Sequence, residues 1–188
     1  MVITMSLYDH IHEARHLLEL CGDISIKPDI KPKKIKKAIK SYASGGNIES
    51  DRVLILIDNT VFGSGKQGMM LTEEMLFAFS NISGKYSIKV KDLESVSPQL
   101  RKSLGVVPQI GLVLNGGYFV SLPGMVEDSD KIRDYLEWGG ILVGSELSPA
   151  IVLFSLFLHK ALGCELILEK ESDPGPPPWY IDESEGSE

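Results

Sequence analysis

The pentapeptide HEARH near the start of the 188-residue chain is a literal H-E-x-x-H pattern. On a helix, His12 and His16 share a face and could bind a zinc ion, with Glu13 as the general base of a hydrolase. The longer form of this pattern needs a glycine and then a histidine, where the chain has Glu19 and Gly22. We therefore predict that these histidines lie on the polar side of an amphipathic helix, and keep a zinc-dependent hydrolase as a minor alternative.

A second candidate for chemistry is the glycine-rich stretch FGSGKQG at 62–68, which follows the apolar run VLILID. A phosphate-binding loop has the pattern G-x-x-x-x-G-K-[ST]. If Gly65 and Lys66 form its end, the chain has Thr60 in place of the first glycine and Gln67 in place of the last hydroxyl. The following residues predict paired strands and not a helix whose N-terminus could hold phosphate. The stretch is therefore predicted to be a turn that binds no nucleotide.

Nucleophilic catalysis has no support in the sequence. The stretch FGSGK has one residue too few before Ser64 to form a G-x-S-x-G elbow. Cys21 and Cys164 form no C-x-x-C motif and are predicted to be buried free thiols. His159 lies in an apolar helix, where we expect it to pack or to cap. We assign no catalytic residue, no cofactor and no metal ligand, and predict that the protein is not an enzyme.

Composition and charge limit the classes to which the protein can belong. The net charge of −7 disfavours binding to nucleic acid through a basic surface. The longest apolar run, AIVLFSLFL, is about half of the roughly 20 residues that a membrane span needs. The N-terminal stretch carries charged residues and histidines where a signal peptide needs an apolar segment. We expect a cytoplasmic protein with no stable membrane association.

The charge is concentrated in two segments. Residues 31–40 hold six lysines and no acid, and residues 169–188 hold seven acids and one lysine. We predict that the lysines form the solvated face of a helix. A patch for nucleic acid or anionic membrane is the weaker alternative, because no arginine or aromatic residue interleaves the lysines. A third possibility is that the acidic tail folds back on this helix.

The acidic tail carries two aromatic residues among prolines and acids. A segment that cannot form its own core but presents aromatic side chains is either a docking peptide or a strap across the body. Both versions stay open. The candidate protein-binding residues are Trp179, Tyr180, Asp182 and Glu183.

Start and stop signals predict four helices. One begins at Ser6, a second opens with Pro32, a third covers 127–140, and the last runs from Ser148 to Gly163. In the third helix, the apolar positions are Ile132, Tyr135, Leu136 and Trp138. The last helix is apolar on nearly every side, so it lies either in the core or in a homodimer interface through 149–162.

Short segments rich in β-formers predict the strands. The pattern NGG at 115–117 is a strong hairpin signal. The predicted strands cover 52–58, 68–72, 74–79, 86–93, 109–115 and 118–123, and 164–169 is a possible last strand.

The stretch LIDNTVFGSGKQGMMLTEEMLFA at 56–78 resembles the opening strands of small bacterial domains related to pleckstrin-homology and GRAM domains. The resemblance covers roughly 52–140 and includes the order of about six short strands followed by a helix. It implies a bent antiparallel sandwich or barrel closed by a helix, a binding or scaffolding role and no catalytic residues. The matching positions are Asp58, Thr60, Phe62, Gly63, Lys66, Gly68 and Thr72.

Together these features predict an α+β fold in three parts. An N-terminal helical hairpin at 1–47 precedes a pleckstrin-like β-domain with C-terminal helices at 48–170, and an acidic, proline-rich tail follows at 171–188. The predicted function is that of a non-enzymatic protein-binding module with a protein partner. The more specific alternative is an immunity-type inhibitor of a basic nuclease toxin, because an acidic surface can mimic nucleic acid.

Overall fold

A computed structural model describes residues 5–43, 48–60, 65–80, 84–101, 109–122, 125, 129–141, 143 and 147–168. Over these ranges the fold is α+β, as predicted, with four α-helices and two mostly antiparallel sheets. The helices are α1 (Leu7–Leu18), α2 (Pro32–Tyr42), α3 (Ser129–Trp138) and α4 (Pro149–Leu162). Sheet A has the order β1 (Ile24–Ile26), β2 (Val53–Asp58), β3 (Gly68–Thr72), β4 (Met75–Ser80) and β5 (Gly84–Lys89). Sheet B has the order β8 (Tyr118–Ser121), β7 (Gln109–Leu114), β6 (Ser95–Arg101) and β9 (Glu165–Leu166).

The starts of α1, α2 and α4 are those that the local sequence predicts. The Ser6 side chain accepts a hydrogen bond from the Asp9 backbone N–H, and the Asp9 carboxylate accepts one from the Ser6 N–H, which is a capping box. Proline occupies the first position of both α2 and α4. Since its missing N–H has no helical partner at that position, proline costs nothing there.

The central strands of sheet A, β2 to β4, are buried on both faces. The inner face of the sheet packs with sheet B, α1 and α4 in one hydrophobic cluster, the inner core. Its outer face packs with α2 in a second cluster, the outer core. In β3 and β4, successive residues belong to different clusters, because side chains in a strand point alternately to opposite faces. Met69, Leu71 and Leu76 belong to the inner core, and Leu56, Met70 and Phe77 belong to the outer core.

The two sheets also meet at one corner. The rings of Tyr86 in β5 and Tyr118 in β8 stack with their centroids 4.3 Å apart. The Tyr118 hydroxyl donates a hydrogen bond to the Gly84 carbonyl oxygen. This pair fixes the end of sheet A against the outer strand of sheet B.

The predicted N-terminal helical hairpin is wrong. Strand β1 lies between α1 and α2 and pairs with β2, and the two helices pack in different cores. The short sequence of β1, Ile-Ser-Ile, has too few residues to show a periodicity.

Strand β6 was not predicted, because its sequence SVSPQLR contains polar residues and Pro98. Strand β9 pairs only with Ser95 and Val96, so β6 is an edge strand at Pro98 and loses no ladder hydrogen bond. The other differences concern boundaries. The strand predicted for 86–93 ends at Lys89, and the NGG hairpin is confirmed between β7 and β8.

Helix α4 lies in the inner core, which decides between its two predicted positions. From Pro149 to Leu158 every residue except the half-buried Leu156 is buried within the single chain. The apolar residues of α4 that stay partly open to solvent are Leu156, Ala161 and Leu162, so a homodimer through 149–162, which the sequence left as an alternative, would have only this small surface of the helix.

Candidate functional site

The carboxylate of Asp58 organises the turn after β2. Its side chain is only 2% exposed and accepts hydrogen bonds from the Thr60 hydroxyl (2.6 Å), the Thr60 N–H (3.2 Å) and the Gly65 N–H (3.0 Å). Its other oxygen lies 3.0 Å from Lys34 Nζ on α2. Burial raises the pKa of this carboxyl, but the hydrogen bonds and Lys34 outweigh burial and hold the pKa below its usual range. Asp58 is thus a structural anion.

The same turn is tied to α2 at two further points. The Ser41 hydroxyl donates a hydrogen bond to the Lys66 carbonyl oxygen over 2.7 Å. Gly65 packs so closely on α2 that a Cβ there would lie 3.0 Å from the Lys34 carbonyl oxygen. Of the stretch FGSGKQG, 62–64 lie outside the described residues, and its end leads directly into strand β3, as predicted.

Helix α2 presents one face that consists of lysines. Lys33, Lys36, Lys37 and Lys40 have the spacing i, i+3, i+4, i+7, which places them on one side of a helix. Lys33, Lys36 and Lys40 are exposed, Lys37 is half-buried, and the turn adds the exposed Lys66. We call these five residues the basic face. None of them forms an ion pair with any residue in the described ranges, and the predicted solvated face is confirmed for these lysines of α2 but not for Lys34, which pairs with Asp58.

The end of α3 presents two aromatic side chains to solvent. Trp138 is 90% exposed and Tyr135 is 36% exposed, whereas Ile132 and Leu136 are buried in the inner core. Of the four apolar positions that the sequence analysis named in this helix, only Ile132 and Leu136 are core positions. Trp138 follows Ile132 by six residues, which is about 1.7 turns, so it lies far from the buried side. That angular offset is the signal that could have identified this surface.

The helix end that carries Trp138 is held by the backbone. The Ile141 N–H donates to the Leu136 carbonyl oxygen (2.8 Å) and the Gly140 N–H to the Glu137 carbonyl oxygen (2.9 Å). With Gly140 at φ 78°, these two bonds form the glycine-terminated stop common at helix ends. Trp138 therefore stands on a defined last turn of α3. We call Lys131, Asp134, Tyr135 and Trp138 the aromatic surface, since they share one side of the helix.

A cleft of about 510 Å³ lies beside the β3–β4 turn. Several of its polar groups already have partners within the chain. Lys27 Nζ donates to the Asp51 carbonyl oxygen, and the Arg52 guanidinium lies 3.8 Å from Glu74 Oε1. Glu73 accepts a hydrogen bond from the Tyr8 N–H over 3.1 Å. The cleft thus offers a ligand fewer free polar groups than its composition suggests.

The HEARH residues lie on the outside of α1. His12, Glu13 and His16 are exposed, as predicted for the polar side of the helix. Arg15 pairs with Glu19 (2.7 Å) and with Asp29, which joins α1 to the segment after β1. Within the ranges given above, no three His, Cys, Asp or Glu side chains are grouped so that they could hold a metal ion.

The cysteines and His159 are where the sequence places them. Cys21 and Cys164 are buried free thiols, and burial raises the pKa of Cys21 to about 12. A thiol with so high a pKa is a poor nucleophile at neutral pH. His159 Nδ1 lies 2.6 Å from the Cys164 carbonyl oxygen, so this histidine ties the last turn of α4 to the segment that leads into β9.

The predicted binding residues Trp179, Tyr180, Asp182 and Glu183 lie outside the described residues. Comparison with protein families, with curated proteins and with solved structures finds no match to this chain. In the part of the chain that the structure describes, no helix has both the length and the apolar character for a membrane crossing.

Proposed function

We propose that this chain is a non-enzymatic protein-binding module, and that Trp138 and Tyr135 are its anchor residues. The observation that carries the proposal is the 90% exposure of Trp138 on a well-held helix end. Tryptophan and tyrosine dominate the binding energy of many protein interfaces. Covering a tryptophan removes roughly 200 Å² from water, which is worth about 5 kcal/mol.

The position of the anchor favours binding over a merely tolerated exposure. The buried Ile132 and Leu136 and the closed helix end already fix the orientation of α3. An anchor on such an element loses little conformational entropy when a partner covers it. Affinity therefore depends mainly on how well the partner fits the two rings.

The charge around the anchor supports a basic partner. Asp130, Asp134 and Glu137 of α3 are exposed, against one exposed cation, Lys131. The same acids support a second candidate function, an immunity-type inhibitor of a basic nuclease toxin, in which an acidic surface blocks the toxin's cleft. Loss of nuclease activity on mixing with a candidate toxin tests that version, and unchanged activity counts against it.

We further infer that the β-strands form a pleckstrin-like domain. Support comes from the order of an antiparallel meander of four strands, β2–β5, then one of three strands, β6–β8, and then α3. In this arrangement α3 is the helix that closes one end of the sandwich, and the aromatic surface lies on its outer side.

The test is a pull-down from the lysate of the natural host with the tagged full-length chain and with Trp138→Ala. We expect the native chain to retain one partner in an amount about equal to its own, and the variant to lose that partner. Removal of an anchor costs at least about 2 kcal/mol of binding free energy, which is roughly thirtyfold in affinity. Tyr8→Ala is the matched control, because Tyr8 is also an exposed aromatic residue, at 45%.

The outcome distinguishes the aromatic surface from the cleft beside the β3–β4 turn. Because the Trp138 side chain is exposed, its replacement should change the free energy of unfolding by less than about 0.5 kcal/mol. A loss of binding would therefore not result from unfolding of the variant. If Trp138→Ala retains the partner and Tyr8→Ala loses it, the cleft beside the β3–β4 turn is the binding site and the proposal is wrong.

A further inference from the structure

We propose that the basic face of α2 is the docking site for the acidic C-terminal segment of the same chain, residues 171–188. The segment holds six acids and no basic residue, against the five lysines of the face. This inference does not depend on the proposed function, because it concerns a different helix from the one that carries Trp138.

The basic face is a preformed surface. The Lys34–Asp58 ion pair and the Ser41–Lys66 hydrogen bond fix α2 and the turn after β2 relative to each other. Because α2 contains no acidic residue, lysines on successive turns repel one another with no compensating charge on the helix. An acidic occupant would relieve this repulsion, and it would do so on the side of α2 that the outer core leaves open.

The C-terminal segment is long enough to reach the basic face. The 20 residues after Leu168 span up to roughly 66 Å when extended, at ~3.3 Å per residue. A folded body of this size has a diameter on the order of 40 Å. The carboxylates at 182–188 can therefore meet α2 from the end of β9 in sheet B.

Tethering favours this occupant over an external one. A segment joined to the body is present at an effective concentration on the order of mM, which a free acidic ligand must exceed. The net charge of −7 also repels external polyanions. The face has no arginine and no aromatic residue with which to grip or stack bases. Nucleic acid and anionic membrane are therefore the less favoured occupants.

The test is zero-length carbodiimide crosslinking of the full-length chain, followed by mass spectrometry. The reagent joins a carboxylate to an amine only where the two groups are in contact. We expect amide links between residues 182–188 and the lysines of the basic face, several times more abundant than links to the exposed Lys85, Lys89 and Lys91. These links should disappear in ~1 M salt, where the screening length falls to about 3 Å.

A matched pair of variants isolates the effect of position from that of charge. Replacing Lys33, Lys36 and Lys40 with glutamine should free residues 182–188, so that their remaining links spread over other lysines. Replacing Lys85, Lys89 and Lys91 with glutamine changes the net charge equally and should leave links to the basic face intact. All six lysines are exposed, so neither variant is expected to unfold the chain.

Three results would overturn the inference. The C-terminal segment could link equally to both lysine sets, or form no link to α2 at all. In a mixture of isotopically light and heavy chains, the links could join only different molecules, which would make a second copy the occupant. The inference is supported by links to α2 within one molecule that are lost when Lys33, Lys36 and Lys40 are replaced. The same links should remain when the lysines at 85, 89 and 91 are replaced.

Discussion

Asp58 is a buried carboxylate that stays ionised because the chain surrounds it with donors. Two backbone N–H groups, one hydroxyl and one ammonium group converge on its two oxygens. Hydrogen bonds to an ionised group are about twice as strong as those between neutral groups. The residue therefore holds the turn after β2 in place and also positions Lys34 on α2.

Replacing Asp58 with asparagine should lower the free energy of unfolding by about 3 kcal/mol. The change leaves Lys34 without its partner and places the asparagine NH2 group, a hydrogen-bond donor, among other donors. Urea denaturation at neutral pH measures the effect. Asp134→Asn is the matched control, since Asp134 is exposed and its replacement should cost less than about 0.5 kcal/mol. Equal stability of both variants would show that the Asp58 carboxylate is not structural.

The pH dependence of this effect has a defined sign. The pKa of Asp58 is lower in the folded chain than in the unfolded one, where it is near 3.9. Its contribution is therefore fully present above about pH 5 and is lost as the pH falls through the lower, folded pKa. The difference in unfolding free energy between the native chain and Asp58→Asn should be constant above that range and shrink in acid.

At the scale of elements, the β2–β3 pair depends on a glycine. Gly68 has φ 130° and lies opposite Asp58, and a Cβ there would lie 1.9 Å from the Ile57 carbonyl oxygen. That separation is far below any allowed contact, and both strands are buried in sheet A. The start of β3 therefore cannot accommodate a side chain without moving the backbone of β2.

Gly68→Ala should destabilise the chain by more than about 3 kcal/mol, since it combines a backbone clash with a conformation that alanine disfavours. Thermal unfolding followed by circular dichroism measures the change. Gly117→Ala is the control: Gly117 lies in the exposed β7–β8 turn, where an added Cβ would have its nearest neighbour at 3.9 Å. A native-like melting temperature for Gly68→Ala would show that the strands adjust freely.

The elements could be predicted where the local signal is strong. Ser6 with Asp9, Pro32, Pro149 and the NGG turn each act through neighbouring residues, so a single sequence suffices for them. Strand β9 has two residues, and its parallel pairing with β6 arises only once α4 has brought the chain back to sheet B. Such long-range pairing leaves no local pattern.

The candidate sites, too, could be predicted from the sequence only where a local pattern defines them. The lysines of α2 could be predicted as a solvated face, because their opposite side is apolar. The exposure of Trp138 could not be read from residue type, since a tryptophan in a helix is more often buried than exposed. Its position follows from the angle that Ile132 and Leu136 set when they enter the inner core.

At the scale of the whole molecule, sheet A joins two cores. The inner core contains both sheets with α1 and α4, and the outer core contains α2. Because each central strand contributes side chains to both cores, neither can lose its packing without disturbing the shared backbone. We therefore expect the described body to unfold as one cooperative unit.

Phe77→Ala in the outer core and Leu112→Ala in the inner core test this cooperativity. Both side chains are buried, and we expect losses of about 4 and about 3 kcal/mol. Urea titrations followed by far-ultraviolet and by near-ultraviolet circular dichroism should each show one coincident transition at a lower midpoint. Ile167→Ala, at an exposed position, is the control. A separate early transition in Phe77→Ala would mean that the outer core unfolds alone.

The edges of sheet A also affect how the chain behaves in a crowded cell. Strand β1 has only three residues, and β5 alternates half-buried residues with exposed ones that include Lys85 and Lys89. An open edge strand can recruit a strand from a neighbouring molecule, and lysines on it make that approach unfavourable. Since the strands between them are hydrophobic on both faces, these modest edges help to keep the most aggregation-prone segments of the sequence apart from those of other copies.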